Sequence, residues 1–181
     1  LPEQFILYLG LIQPRKNLAR LARAFATLRD AGHPHKLVFV GKRAWLYEGV
    51  LREIDALGLG DRLVFTDYVD RADLPAFYSA ADAFAYVSLY EGFGIPVLEA
   101  LACGTPTLAS TDPALVEVAG GVAHHVDPYD TGAIAEGLRH VLEDAAFRNQ
   151  ARTAGPRRAA TFTPERMARA ALDGYGRAAG E

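Results

Sequence analysis

Between Ser88 and Ala100 the chain reads Ser-Leu-Tyr-Glu-Gly-Phe-Gly-Ile-Pro-Val-Leu-Glu-Ala, two carboxylates separated by seven residues around a two-glycine turn. Gly92 and Gly94 allow close backbone approach to a ligand and dihedrals closed to other residues. Pro96 suits the first turn of a helix, where its missing N–H is no loss. The unpaired N–H groups at such a helix start, with roughly half a positive charge from the helix dipole, suit a phosphate. Glu91 in the turn and Glu99 about one helical turn further on accept hydrogen bonds, and so suit sugar hydroxyls on either side of a diphosphate. That is the outline of a nucleotide-diphosphate-sugar. The same residues also describe a plain strand–turn–helix with two solvated acids, and a short Gly-x-Gly turn does not choose between the two.

Other polar residues fall at comparable places. Arg15 and Lys16 precede a helix and are placed to meet a diphosphate, Arg bidentately and Lys as a point charge, or simply to solvate a loop. Lys42 follows Gly41 with the same two readings. In Thr66-Asp67-Tyr68-Val69 the backbone could read a nucleobase edge, while Tyr68 could equally be packing. His124 and His125 are adjacent, so a strand points them to opposite faces. His33, His35 and His140 make no metal-ligand spacing with nearby Cys or acids, and no metal site is expected. No serine is tied to a base. Arg152, Arg157, Arg158, Arg166 and Arg169 read as a solvated basic helix face. Cys103 reads as small packing filler.

The elements that must position these residues alternate. Apolar runs at Phe5–Leu9, Leu37–Val40, Leu63–Phe65, Ala83–Val87, Thr107–Ala109 and Val122–Val126 read as strands covered on both faces. Between them, helical spacing recurs: Leu18, Leu21, Ala22, Phe25 and Leu28, then Val50, Leu51, Ile54 and Leu57, then residues 73–80, the run after Gly94, and Ile134, Leu138, Val141 and Leu142. Asp112, Asp130 and Thr163 read as helix N-caps. Two helices, around residues 147–159 and from Pro164, end the chain. The alternation predicts an α/β fold with a doubly wound parallel sheet, Rossmann-like, as a single domain over residues 1–181. In such sheets ligands sit at the carboxyl ends of the strands. The loops there, 10–17, 41–45, 66–70, 88–94 and 110–112, hold the residues singled out above.

The bulk properties narrow the class. The 181 residues carry a net charge of -3, half are hydrophobic, and there is one cysteine. This gives no support for general nucleic-acid binding. No apolar run approaches the ~20 residues of a membrane span. The single cysteine precludes an internal disulfide and agrees with a reducing, cytoplasmic compartment. Starting at Leu1 and entering a strand almost at once, the sequence reads as a piece of a longer protein.

Gly10…Pro14-Arg15-Lys16-Asn17, Val40-Gly41-Lys42, and the run from Ser88 through Glu99 to Pro106 together resemble the C-terminal, donor-binding domain of retaining glycosyltransferases with the GT-B fold. The similarity is to the glycosyltransferase group 1 (family 4) type, including mannosyltransferases of polysaccharide assembly. The resemblance covers nearly the whole chain and implies roles. Glu99 would bind the ribose hydroxyls, and Glu91, the catalytic candidate, would contact the donor sugar and hold it for attack. The amides of Gly92, Phe93, Gly94 and Ile95 would line the sugar and diphosphate site. Arg15 and Lys16 would neutralise the leaving diphosphate, while Lys42, Tyr68 and Val69 complete the donor-binding set. The nucleotide-sugar, GDP-mannose or a UDP-hexose, would be a substrate, with no cofactor and no metal.

The resemblance also implies an N-terminal acceptor domain as partner, and room for peripheral attachment of a full-length protein at the inner membrane face. It implies that residues 1–181 alone bind donor without transferring sugar. A non-catalytic nucleotide-sugar-binding module and another GT-B enzyme, such as a nucleotide-sugar epimerase, stay open. Three departures stand out: Leu11 where many relatives carry Arg, Val87 where proline is common, and Pro164 in place of an aromatic. The last helix is expected to leave its Met167, Ala170, Ala171 and Tyr175 face without a partner.

Overall fold

The structure, a computed structural model, describes residues 1–180; Glu181, included in the single-domain expectation, lies outside the described residues, as does the side chain of Met167. Six parallel strands form one sheet: β1 (Phe5–Leu9), β2 (Lys36–Val40), β3 (Leu63–Phe65), β4 (Ala83–Tyr86), β5 (Thr107–Ser110) and β6 (His124–Val126). Their order is β3-β2-β1-β4-β5-β6, the doubly wound arrangement expected. Order reverses between β1 and β4, where Ile6 pairs with Ala83 and Leu7 with Phe84. A crevice opens at the carboxyl ends of strands at such a reversal.

The helices are α1 (Leu18–Asp30), α2 (Tyr47–Asp55), α3 (Leu74–Ala80), α4 (Ile95–Ala102), α5 (Pro113–Ala119), α6 (Thr131–Glu143), α7 (Ala145–Ala159) and α8 (Pro164–Ala179). They pack in two groups, α1 with α2 and α6, and α4 with α3, α5 and α7. Covering on both faces is why the central strands are apolar at nearly every position. The α4–α7 approach depends on Gly155, where a Cβ would lie 2.6 Å from the carbonyl oxygen of Leu101. Exposed Tyr175 and Leu172 show α8 offering an uncovered apolar side.

One row of rings crosses the sheet. Phe65 stacks on Phe39, Tyr8 meets Phe39 edge-on and stacks on Tyr86, Tyr86 stacks on Phe84, and Tyr78 of α3 meets Phe84 edge-on, with centroids 5.1–5.8 Å apart. Such spacings are those of favourable aromatic pairs. The row fixes Tyr86 and Tyr78, whose hydroxyls reach the two acids discussed below.

The expected caps are present. The side chain of Asp112 accepts from Ala114 N–H at 3.0 Å, Asp130 from Ala133 at 3.0 Å, and Thr163 from Arg166 at 3.3 Å. Two strands are shorter than expected. β4 stops at Tyr86 and β6 starts at His124: Val87 O accepts from the Asn17 side-chain amide, and Val122 N–H donates to Ala119 O in the turn after α5, rather than to a neighbouring strand. α7 begins at Ala145, two residues earlier than expected, because Asp144 accepts from Phe147 N–H at 2.8 Å.

Candidate functional site

After β1 the chain makes a short 3-10 turn, Pro14–Lys16, and enters α1 through Asn17 in the left-handed region at φ 61°. Asn17 does not cap the helix. Its amide donates to Val87 O at 3.0 Å and Pro128 O at 2.7 Å, and Leu89 N–H donates to Arg15 O at 2.9 Å. These bonds tie the turn to the loop after β4. Lys16 is thereby buried against Glu91: its Nζ donates to Glu91 Oε1 at 2.6 Å and to the Tyr86 hydroxyl at 2.5 Å. Arg15 Nη1 lies 3.1 Å from Glu91 Oε2 and also donates to Tyr90 O. Glu91 N–H donates to Asp112 Oδ2 at 3.3 Å.

Glu91 is 9% exposed and Lys16 6%, so the pair is a buried one. Burial pushes the Glu91 carboxyl up, but hydrogen bonding to Lys16 and the charges around it outweigh burial and hold it below the ordinary carboxylate value. Burial of Lys16 draws its ammonium below the usual lysine value despite Glu91. Tyr86 is pushed well above the ordinary phenol value, first by burial and then by Glu91. At neutral pH the cluster is a carboxylate gripped by two cations, with a neutral phenol beside it.

The turn after Glu91 leads into α4. Gly94 is left-handed at φ 98°, and a Cβ there would overlap the Leu115 side chain, so only glycine fits. Among the described residues, the N–H groups of Gly92, Phe93, Gly94 and Ile95 have no protein partner. Four unpaired donors at a helix start have the geometry and partial charge that suit an anion. Phe93 is anchored edge-on against Phe162, with centroids 5.8 Å apart.

Glu99 lies on the other side of α4's first turns. Its Oε2 accepts from the Tyr78 hydroxyl at 2.8 Å. It lines a cleft of about 230 Å³ with Arg71, Leu74, Tyr78 and Cys103. Arg71 and Leu74 also line a second, apolar cavity of about 390 Å³ with Leu11, Gly41, Lys42, Tyr68 and Val69. Lys42 Nζ sits 4.8 Å from the centre of the exposed Tyr68 ring.

The candidates thus fall into two assemblies. Arg15, Lys16 and Glu91 meet directly, next to the amides of residues 92–95. Lys42, Tyr68 and Val69 share one cavity, and Glu99 lines its neighbour without touching Arg15 or Lys16. Tyr68 is not packing, at 59% exposure. Cys103 packs against the core as expected, and it also forms part of the Glu99 cleft wall, where burial pushes its thiol up. Arg158 is not merely part of a solvated face, since its guanidinium donates to Val118 O at 3.0 Å and to Glu117 O, satisfying the end of α5. His124 and His125 do part company. His125 Nδ1 meets Ser110 O at 3.0 Å, while the His124 ring packs 4.5 Å from that of His140.

Sequence reasoning missed Tyr86, Tyr78 and Asp112 as supports of the acids, and the stapling role of Asn17. The alternation of β4 puts Phe84 and Tyr86 on one face, which was a readable signal. The reach of the Asn17 amide to Pro128 had none.

The fold and site define an α/β, Rossmann-like domain, the architecture of the C-terminal half of GT-B glycosyltransferases. Sucrose-phosphate synthase from Thermosynechococcus elongatus superposes with a TM-score of 0.83 at 29% identity, covering 99% of this chain and 47% of that one. The C-terminal domain of a glycosyl transferase group 1 family protein (LpcC) from Francisella tularensis has the same fold, with a TM-score of 0.76 at 22% identity over 87% of this chain and 85% of that one. Residues 1–158 match the family described as Glycosyl transferases group 1, and the chain belongs to it.

Its similar relatives include mannosyltransferases. O-antigen chain mannosyltransferase B of Escherichia coli is 34% identical over 96% of this chain and 46% of its own length. The serotype-specific mannosyltransferase WbdA of Escherichia coli is 34% identical over 98% of this chain and 22% of its own length. The chain therefore spans less than half the length of these relatives. Among the described residues no helix is long and apolar enough to cross a membrane.

Proposed function

We propose that this domain binds the nucleotide-diphosphate-sugar donor of a retaining glycosyltransferase that transfers a hexose to an acceptor hydroxyl in glycan assembly. The mannosyltransferase relatives favour mannose as the sugar, with GDP-mannose or a UDP-hexose as donor. The observation that carries the reading is the Arg15–Lys16–Glu91 cluster standing directly beside four unpaired amides at the start of α4.

In this reading the diphosphate sits on the amides of residues 92–95. Arg15 and Lys16 turn from Glu91 to the phosphate oxygens, and the released Glu91 carboxylate accepts from the hydroxyls of the transferred sugar. Glu99, oriented by Tyr78, accepts from the ribose hydroxyls, and the base lies in the apolar cavity by Lys42, Tyr68 and Val69. As the glycosidic bond breaks, negative charge builds on the diphosphate. One preorganised donor aimed at that charge is worth roughly 3 kcal/mol of barrier. The charge is met by the protein's cations and amides, with no divalent metal required. The acceptor side belongs to a further domain, so this chain alone binds donor and does not transfer sugar.

A thermal-shift and calorimetry panel of GDP-, UDP-, ADP- and dTDP-sugars on the chain tests the binding. No stabilisation by any of them removes the reading, and efficient sugar transfer by the purified 181-residue chain refutes its division of labour.

A further inference from the structure

The cavity proposed for the base has a one-sided polar chemistry. Its walls are apolar, with Leu9, Val40, Val69 and Leu74 among them. A Cβ at Gly41 would overlap Gly10 O, so the ends of β1 and β2 meet backbone to backbone there. Among the described residues, the charged ones that line the cavity are Lys42 and Arg71, and no carboxylate joins them. Lys42 already has a partner, its Nζ standing 4.8 Å from the centre of the Tyr68 ring. Arg71 is exposed and, among the described residues, its guanidinium has neither an ion pair nor a hydrogen bond. Arg71 also lines the Glu99 cleft. It therefore stands where a ribose held by Glu99 would join its base.

At about 390 Å³ the cavity admits a purine or a pyrimidine, so its polar groups must make the choice. A guanidinium offers a fork of N–H donors and accepts nothing. Guanine presents two adjacent acceptors, O6 and N7, that match the fork. Adenine has an amino group in place of O6, and cytosine has one where uracil has O4. Either would set donor against donor between apolar walls, where an unpaired donor is costly. Uracil offers O4 without an adjacent acceptor, so it engages one arm of the fork. The carbonyls of Tyr68 and Val69 accept from no protein donor among the described residues, which leaves them for the N1–H and amino group of guanine.

Resting on the donor-site reading, we infer that this domain selects a guanine nucleotide, and that Arg71 makes the selection by a bidentate hydrogen bond to O6 and N7. Calorimetry of the chain with GDP, IDP, UDP, ADP and CDP tests it. GDP, with IDP close behind because it shares O6 and N7, is expected to bind about tenfold or more tighter than ADP and CDP. UDP should fall between. Arg71→Ala, at an exposed position, should bring GDP and IDP down to the level of ADP and leave ADP unchanged. Arg71→Lys keeps the charge and loses the fork, so it should keep part of the preference for GDP over ADP and lose that over UDP.

Equal affinity for all five nucleotides overturns the inference and leaves the donor site standing, as does tighter binding of UDP, ADP or CDP than of GDP. A guanine preference that survives Arg71→Ala also overturns it, because the backbone would then be reading the base. So does a loss shared equally by every nucleotide, which would place Arg71 on the diphosphate charge instead. Binding by none of the five removes the donor site and the base selection together.

Discussion

Glu91 and Glu99 are the same residue type on one short stretch of chain, yet their surroundings are opposites. Glu91 is buried, gripped by two cations, and hydrogen-bonded through its own backbone to Asp112. Glu99 is half-buried and, among the described residues, pairs with no cation and has one neutral donor, the Tyr78 hydroxyl. A carboxylate already neutralised can serve a ligand only by exchanging partners, and the cations it releases are what a diphosphate needs. A carboxylate with spare lone pairs in a cleft can accept from hydroxyls as it stands. The difference separates a group whose loss is felt by the fold from one whose loss is felt by the ligand.

The largest effect should therefore come from Glu91→Ala. It strands a buried lysine, and removing one partner of a buried pair is worth roughly 3–5 kcal/mol. For a domain of this size that lowers Tm by about 10 °C. Replacing both partners, Lys16→Met with Glu91→Leu, should recover most of the loss in the same melting experiment. A double variant as unstable as the single one would mean that the pair is not the reason.

Glu99→Ala breaks only the hydrogen bond from the Tyr78 hydroxyl, so it should lower Tm by just a few degrees and act mainly on binding. Charge-assisted hydrogen bonds to ribose are worth about 1.5–3 kcal/mol, roughly ten- to hundredfold in Kd. Calorimetry should show equal losses for nucleoside and nucleoside diphosphate. Lys16→Met should weaken only the diphosphate. Equal losses in both variants for both ligands would erase the distinction between the two acids.

A milder effect is that of pH. The Glu91 carboxyl titrates below its unfolded value. Between the two values the unfolded chain binds more protons, so stability rises with pH there. The contribution is full above the ordinary carboxylate range and is lost as pH falls through the lowered folded value. Urea midpoints measured from neutral to acid pH should fall more steeply for the parent than for Glu91→Gln; parallel curves would assign the acid lability to other carboxylates.

How much of this was readable beforehand follows the range of the forces involved. The parallel sheet was legible because buried strands such as Phe5–Leu9 announce themselves as continuous apolar runs, and capping by Asp112 or Asp130 is settled within three residues. The grouping of Arg15, Lys16 and Glu91 at one crevice was legible from strand-end position. That Lys16 would spend its charge on Glu91 was not, because it depends on Asn17 binding Val87 and Pro128, contacts far apart in sequence. Likewise β4 alternation could place Tyr86, but nothing local joins Tyr78 on α3 to Glu99 on α4. The short strand ends at Val87 and Val122 were misjudged because hydrophobicity reports burial, and both residues are buried without extending the ladder.

The smallest effect probes that last contact. Tyr78→Phe keeps the ring that packs edge-on against Phe84 and removes only the hydroxyl that donates to Glu99. Losing one such bond should lower stability by about 1 kcal/mol. Glu99 stays in its cleft but loses the group that orients it, so more of its freedom must be given up on binding. Ordering one such side chain is worth roughly 0.5–1.5 kcal/mol, about threefold or somewhat more in nucleoside affinity. Tyr86→Phe, on the Glu91 side, makes the matched control. It removes a partner of buried Lys16, so its cost should appear in Tm and diphosphate affinity, with nucleoside affinity untouched. If the two phenylalanine variants gave the same pattern, the two acids would have to be regarded as one polar cluster rather than as two sites with different tasks.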